Sequence, residues 1–174
     1  MEEPRQPRHP AAGFTLVELM VVLAVFTILA AAGIPALQAM LTDHRHAAQV
    51  NTLTSYIHRA RAEAVRHGHP VTLCASPDAA SCNGNAWDQG WLLFADVDGD
   101  GVMDDADTRM AVEDPLGQAG ATYNRSRLTF RHDGTTAFNG TFTVCDARQT
   151  RVRQLVISRG GRLRQGTAAP SECP

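Results

Sequence analysis

Residues 19–41 carry no charged side chain, and only Thr27 and Gln38 in that run are appreciably polar. At roughly 1.5 Å of rise per residue, a helix over this run crosses a bilayer core of about 30 Å. From residue 50 the pattern changes. Val50, Leu53, Ile57, Ala60 and Ala64 recur at helical spacing, with Arg45, Gln49, Arg59, Glu63 and Arg66 on the opposite face. One apolar stripe on a polar helix predicts an amphipathic element that lies on a sheet. Gly68-His69-Pro70 then supplies a glycine-and-proline stop. Pro35, inside the apolar run, lacks an N–H and collides with the carbonyl of Ala31, so the helix is expected to bend or loosen there.

After Pro70 the chain breaks into short apolar runs separated by turns. Residues 71–75, 91–95, 109–112, 128–130, 141–145 and 154–158 read as strands, and Asp133-Gly134 and Asn139-Gly140 as hairpin turns. The expected fold is α+β: a long N-terminal helix, transmembrane and then amphipathic, packed on a compact antiparallel β domain. The segments are a leader at 1–13, a transmembrane stretch at 14–41, its amphipathic continuation at 42–68 and a β domain at 69–174.

One acid, Glu18, interrupts the apolar plan. A carboxylate in lipid costs on the order of several kcal/mol, so it implies a partner. The leader before it is polar and Pro-rich, carries Arg5 and Arg8, and ends in Gly13, ahead of the apolar run rather than behind it. A secretory signal has the opposite order. Cutting after Gly13 would keep the hydrophobic helix and make Phe14 the new N-terminus. Gly13-Phe14-Thr15-Leu16-Val17-Glu18-Leu19-Met20 resembles the processing and N-methylation motif of type IV pilins and secretion pseudopilins. That resemblance implies cleavage between Gly13 and Phe14 by a prepilin peptidase and methylation of the Phe14 amine. It also implies that Glu18 pairs with the positive N-terminus of a neighbouring subunit during assembly.

The 174 residues suffice for the anchor and one modest domain. The net charge of −2 hides a separation of signs. Residues 78–114 hold ten acids against Arg109, whereas residues 125–174 hold nine arginines against Asp133, Asp146 and Glu172. Every basic side chain is Arg; with no lysine anywhere, arginine usage reads partly as genome composition rather than as phosphate-binding design. Arg5 and Arg8 before the membrane run, with Asp43 after it, favour a cytoplasmic leader and put residues after about 42 outside. The resemblance to pilins implies that the anchor lies in the inner membrane and the domain in the periplasm. Cys74, Cys82, Cys145 and Cys173 would then lie in an oxidising compartment, where three pairings are open. Cys74–Cys82, closing a short loop, and Cys145–Cys173, pinning the tail to a strand, are the favoured pair. A zinc site is disfavoured because no CxxC is present. His67/His69 and His44/His46 stand at i, i+2, which do not face each other on a helix.

Further motifs narrow the resemblance. The strings over 60–66 and 70–74, Trp87 with Gly90-Trp91-Leu92-Leu93-Phe94 and the acids after it, and residues 154–158 with Gly161-Arg162-Leu163-Arg164 resemble the GspH/FimT group of minor pilins and pseudopilins. They cover the chain from Gly13 to about residue 165, in order. Two segments carry chemistry beyond assembly. In the first, Asp96, Asp98, Asp100, Gly101 and Asp107 occupy positions 1, 3, 5, 6 and 12 of a calcium loop, without the usual final Glu and without flanking helices. The competing reading is a solvated hairpin loop rich in turn formers, and no metal or cofactor is assigned. In the second, Arg162 and Arg164 at i, i+2 on an extended chain point the same way, near Arg159, Arg153 and Arg151. Two guanidinium forks on one face suit adjacent phosphates. Gly161-Arg162-Leu163-Arg164 resembles the DNA-binding motif of competence-associated FimT-type pilins, implying that Arg162 and Arg164 grip DNA without reading sequence. No aromatic interleaves with these arginines, so this segment offers no base stacking. An enzyme is not expected: there is no nucleophile elbow or phosphate-cradling loop, and His58 and His132 stand alone. The residues point to a minor pilin in type IV pilus biogenesis that binds DNA for natural transformation; its rival is a type II secretion pseudopilin with no DNA role. The expected partners are the prepilin peptidase, other pilin or pseudopilin subunits, the inner membrane and DNA.

Overall fold

The computed structural model describes residues 15–115 and 120–173, so the expected cut between Gly13 and Phe14 lies outside the described residues. Helix α1 runs Leu16–His67. Thr15 starts it: its hydroxyl oxygen accepts the Glu18 N–H at 3.2 Å. Thr and Glu at this spacing form the pattern of a capping box, and the Glu18 carboxylate sits in the first turn, where the helix dipole favours negative charge. Pro35 lies inside this helix, which continues on both sides of it.

The chain divides into two units, Met1–Leu41 and Thr42–Pro174, and α1 contributes to both. In the first unit the large apolar side chains between Leu16 and Leu41 are exposed, and α1 is long and apolar enough there to cross a membrane. In the second unit α1 buries Val50, Leu53, Ile57, Ala60 and Ala64, the stripe read from the sequence, and adds His46 at its head. The His46 ring nitrogen lies 3.1 Å from the Val144 carbonyl oxygen, which explains a buried imidazole in an apolar row. Gly68, at φ +74, ends the helix by donating to the Ala64 carbonyl at 3.1 Å.

The described residues then form β1 (Val71–Ala75), β2 (Trp91–Ala95), β3 (Thr108–Glu113), β4 (Ala121–Tyr123), β5 (Arg127–Phe130), β6 (Gly140–Cys145), β7 (Val152–Ile157) and β8 (Leu163–Thr167). They make two four-stranded antiparallel sheets, ordered β3-β2-β1-β5 and β4-β6-β7-β8. Six strands were expected. β4 is only three residues long, and β8 is an edge strand with too few apolar residues to give an alternating pattern.

One core joins α1 to both sheets: Leu53 and Ile57 share a buried cluster with Leu73, Trp91 and Phe130 of the first and Phe142, Leu155 and Ile157 of the second. The connection after β1 closes the gap. Ala86 bridges to Thr122, and the buried Trp87 ring stands edge-on to Phe142 at 4.7 Å and Tyr123 at 5.7 Å. Burial pushes the Tyr123 hydroxyl up to about 12. A smaller core of Cys74, Leu92 and Phe94 lies on the other face of the first sheet, with Cys82, Met103 and Val112 packed on it. β1 and β2 are therefore buried on both faces, which is why they read as continuous apolar runs.

Disulfides join Cys74 to Cys82 and Cys145 to Cys173, with Cα–Cα distances of 5.5 and 5.9 Å. The second ties the C-terminal segment to β6, and from neighbouring β7 the Gln154 side-chain amide also donates to Glu172 at 2.7 Å. Asp133-Gly134 does turn the chain, with Gly134 at φ +75 and Arg131 donating to Thr135 at 2.8 Å. Asn139-Gly140 is a correction to the expected hairpin. Gly140 already belongs to β6 opposite Ile157, and a side chain there would collide with the Tyr123 ring. The glycine serves a close approach by an aromatic, not a turn.

The β6–β7 connection is organised by buried Asp146, which accepts the Thr150 N–H at 2.7 Å, the Thr150 hydroxyl at 2.9 Å and the Arg151 N–H at 3.0 Å. Burial pushes its carboxyl up, but these hydrogen bonds and nearby His46 outweigh that and hold it below the ordinary range. A lowered folded pKa stabilises the fold above the unfolded value of about 3.9 and loses that contribution as pH falls through the folded one. We expect Asp146→Asn to lower the thermal unfolding midpoint at pH 7 and to differ less from the parent at pH 3. An equal gap at both pH values would remove the charge from this account.

Candidate nucleic-acid interface

The β7–β8 hairpin carries the two arginines singled out by sequence. Its loop is Arg159-Gly160-Gly161: Gly161 donates to the Ser158 carbonyl at 2.9 Å, and Ser158 donates to the Arg162 carbonyl at 3.0 Å. Gly161 adopts φ +71, as a three-residue hairpin with a glycine bulge requires. The turn is also wedged. A Cβ on Gly161 would run into the Gly134 carbonyl and the Arg61 guanidinium. Arg61, reaching up from α1, donates to Gly134 at 3.0 Å and to Gly160 at 3.3 Å, clamping two turns with one side chain.

Beyond the turn the strand period decides where side chains go. In β8, Leu163 lies opposite Ile157 and packs on the core, while Arg164 lies opposite Val156. Arg162 and Arg164 therefore share the exposed face of an edge strand. With Asn139, Val156 and Ser158 they line a hollow of about 290 Å³. Asn139 ties this hollow to its surroundings: its side-chain oxygen accepts the Arg159 N–H at 2.8 Å, and its carbonyl accepts Arg125 Nε at 2.8 Å.

Arg151 and Arg153 are a correction. Both were expected beside Arg162 and Arg164, but they lie at the far end of β7. Arg153 is opposite Thr167, and Arg151 forms an ion pair with Asp43 at 2.5 Å. At roughly 3.3 Å per strand residue, closeness in sequence becomes separation along the sheet. Conversely, Arg125 and Phe138 were missed. They reach this region from the loops after β4 and before β6, and no local pattern links positions so far apart in sequence.

The acidic loop 96–107 is the hairpin connection between β2 and β3. Carboxylate oxygens of Asp96, Asp98 and Asp107 lie within 4.8 Å of one another, as do those of Asp98, Asp100 and Asp104. Asp100 thus falls in a different group from Asp96 and Asp107. The acids hold the loop's own backbone: Asp107 accepts Val97 N–H at 2.9 Å, Asp100 accepts Val102 at 2.6 Å, and Asp104 accepts Ala106 at 2.8 Å. Buried Asp96 takes the Thr72 hydroxyl at 2.6 Å and the Gly101 N–H at 3.2 Å.

A helix apolar in its first half and amphipathic in its second, packed there on antiparallel sheets, is the architecture of type IV pilin-like subunits. The chain belongs to the family described as type II transport protein GspH, whose model matches residues 49–161. Residues 8–34 match the prokaryotic N-terminal methylation motif. Among solved structures, the type IV minor pilin FimU of Pseudomonas aeruginosa is similar in two crystal forms. One is 22% identical with a TM-score of 0.52, covering 71% of this chain and 88% of that one. The other is 24% identical with a TM-score of 0.52, covering 71% and 93%. The minor pseudopilin EpsH of the type 2 secretion system of Vibrio cholerae is 12% identical with a TM-score of 0.50, covering 74% and 99%. At these identities the likeness is one of fold. No curated protein sequence matches the chain.

Because Gly161 combines a left-handed backbone with a close carbonyl, Gly161→Ala is expected to cost about 1 kcal/mol or more. Gly160, with its nearest neighbour at 4.0 Å, is the control, and Gly160→Ala should be near neutral. Denaturant midpoints of the two variants check this. Equal midpoints would mean the turn is not the constraint described.

Proposed function

We propose that this chain is a minor pilin of a type IV pilus, contributing to pilus biogenesis and holding DNA through Arg162 and Arg164 during uptake. The apolar half of α1 anchors it in the inner membrane with residues after about 42 in the periplasm. A prepilin peptidase removes residues 1–13 and exposes Phe14, whose amine is methylated. Glu18 then meets the positive N-terminus of a neighbouring subunit, so that a carboxylate otherwise costly in lipid gains its partner. The observation that carries the DNA reading is the placement of Arg162 and Arg164, side by side on an exposed strand face behind a clamped turn. Two planar forks on one face engage phosphates of a strand without reading its sequence. Similarity in fold to a type IV minor pilin supports the pilus setting.

A second reading draws on the family's own description and on the fold of a secretion pseudopilin. In it the same subunit sits in the filament of a type II secretion system, and the arginines face solvent only.

The full chain, held in detergent micelles with its disulfides intact, is titrated with mixed-sequence duplex DNA at several salt concentrations. We expect binding that weakens steeply with salt. Arg162→Gln/Arg164→Gln should lose about tenfold or more in affinity and reduce the slope of log affinity against log salt by about two. If the parent chain does not bind near physiological salt, the secretion reading replaces this one.

Assembly has its own test. Glu18→Ala should leave leader removal intact and lower the share of subunit recovered in sheared filaments severalfold. Normal recovery would take Glu18 out of assembly.

A further inference from the structure

Four strand termini meet along one rim of the second sheet. The chain leaves β4 at residues 124–125, enters β6 through 138–139, leaves β7 at 158–159 and enters β8 through 161–162. With neighbouring strands about 4.8 Å apart, this rim runs about 14 Å from Arg125 to Arg162. Arg125, Arg159 and Arg162 are exposed along it, Arg164 follows on β8, and these rim segments contain no acid.

An aromatic side chain also stands there. Phe138 is 56% exposed, so its ring is accessible from solvent. One face of its ring is taken: the Arg125 guanidinium carbon lies 4.7 Å from the ring centroid. The backbone beneath is held, because the Thr136 hydroxyl donates to the Phe138 carbonyl at 2.8 Å. Asn139, the next residue, accepts Arg125 and Arg159 and lines the same hollow as Arg162 and Arg164. The ring therefore has a fixed base and a cation on one side, in a residue more than half exposed beside a row of guanidinium groups.

We propose that Phe138, braced by Arg125, is a stacking station for an unpaired nucleobase of a DNA strand whose phosphates lie on Arg162 and Arg164. This rests on the DNA reading above and extends it from backbone grip to strand state. Every base offers a π-face, so the station does not select sequence. Bases inside a duplex are already stacked on one another, so only frayed ends, gaps or single strands reach Phe138. A duplex is held by the arginines alone.

The test uses the full chain in detergent micelles and three probes of equal length: a single strand of mixed sequence, the same strand with abasic sites throughout, and a duplex. Parent, Phe138→Leu, Phe138→Trp and Arg162→Gln/Arg164→Gln are titrated at one salt concentration. We expect Phe138→Leu to weaken the single strand about tenfold while leaving the abasic strand and the duplex within about twofold. Phe138→Trp should hold the single strand as well as the parent or better. If parent and Phe138→Leu bind all three probes alike, while the double arginine variant loses them, the stacking station falls and the phosphate grip stands. Equal weakening of all three probes by Phe138→Leu would also overturn it, since the ring would then be a support for the rim. If the parent binds none of the probes, both readings fall together.

Discussion

The fold depends on a single stripe of α1, from His46 to Ala64. The two sheets share one core, and this stripe is the helical side of it. Burying Leu53 and Ile57 is worth about 1.5–3 kcal/mol each, while Ala60 and Ala64 present only a methyl group to the sheets that cover them. His46 makes the same surface polar at one end, where its ring meets the Val144 carbonyl, and Tyr56 makes it polar at another by donating to Val112 at 3.3 Å. Each sheet is therefore held to the helix by apolar area and by a directional bond. A shift of one residue along α1 would break both at once. Arg61 extends this registration to the surface, since a helix seated by its stripe places that guanidinium against Gly134 and Gly160. The geometry of the β7–β8 turn is thus a consequence of how the helix packs.

The outer face of the first sheet poses a different problem, solved by loops. Cys74, Leu92 and Phe94 need a cover, and Met103 from the acidic loop and Cys82 from the disulfide loop provide it. A loop so rich in aspartate can lie on an apolar face because its carboxylates turn to its own N–H groups. Arg127 adds donors to the Asp100 and Gly101 carbonyls from β5. In the disulfide loop Asp78 plays the same part. It accepts the Ser81 hydroxyl and N–H, the Ala80 N–H and the Ser76 hydroxyl, which together hold its carboxyl well below the ordinary range. Much of the negative charge in residues 78–114 is therefore spent on shaping backbone.

Strong periodicity made most of this legible. The helical stripe, its glycine stop and six strands follow from spacing alone, because each has enough apolar residues to reveal its period. β4 and β8 did not, being short or polar at a sheet edge, where one face and one side of the backbone need no partner. Asn139-Gly140 misled because the same dipeptide serves a turn or a tight aromatic contact, and only the neighbour decides between them. For the site, the i, i+2 spacing of Arg162 and Arg164 was enough to put them on one face. Their surroundings were not readable. Arg151 and Arg153 are near in sequence and far along the strand, whereas Arg125 and Phe138 are far in sequence and share a rim with the pair.

That redistribution bears on what the basic end of the chain can do. Summed over residues 125–174, the positive charge looks like one cluster, but the fold sorts it. Arg151 is committed to Asp43 and Arg127 to the carbonyls of the acidic loop, while on α1 Glu63 takes Arg59 and Arg66. Arg125, Arg159, Arg162 and Arg164 form no ion pair among the described residues, and all four lie at or beside one edge of one sheet. A guanidinium without a carboxylate keeps its full field for a ligand, and several in a row raise the local potential more than the same number scattered. A chain of net charge −2 can therefore present a concentrated basic rim, because the rim segments themselves carry arginines and no acid. How basic a surface this protein presents is a matter of which arginines the fold leaves unpaired, and the net charge carries no information about it.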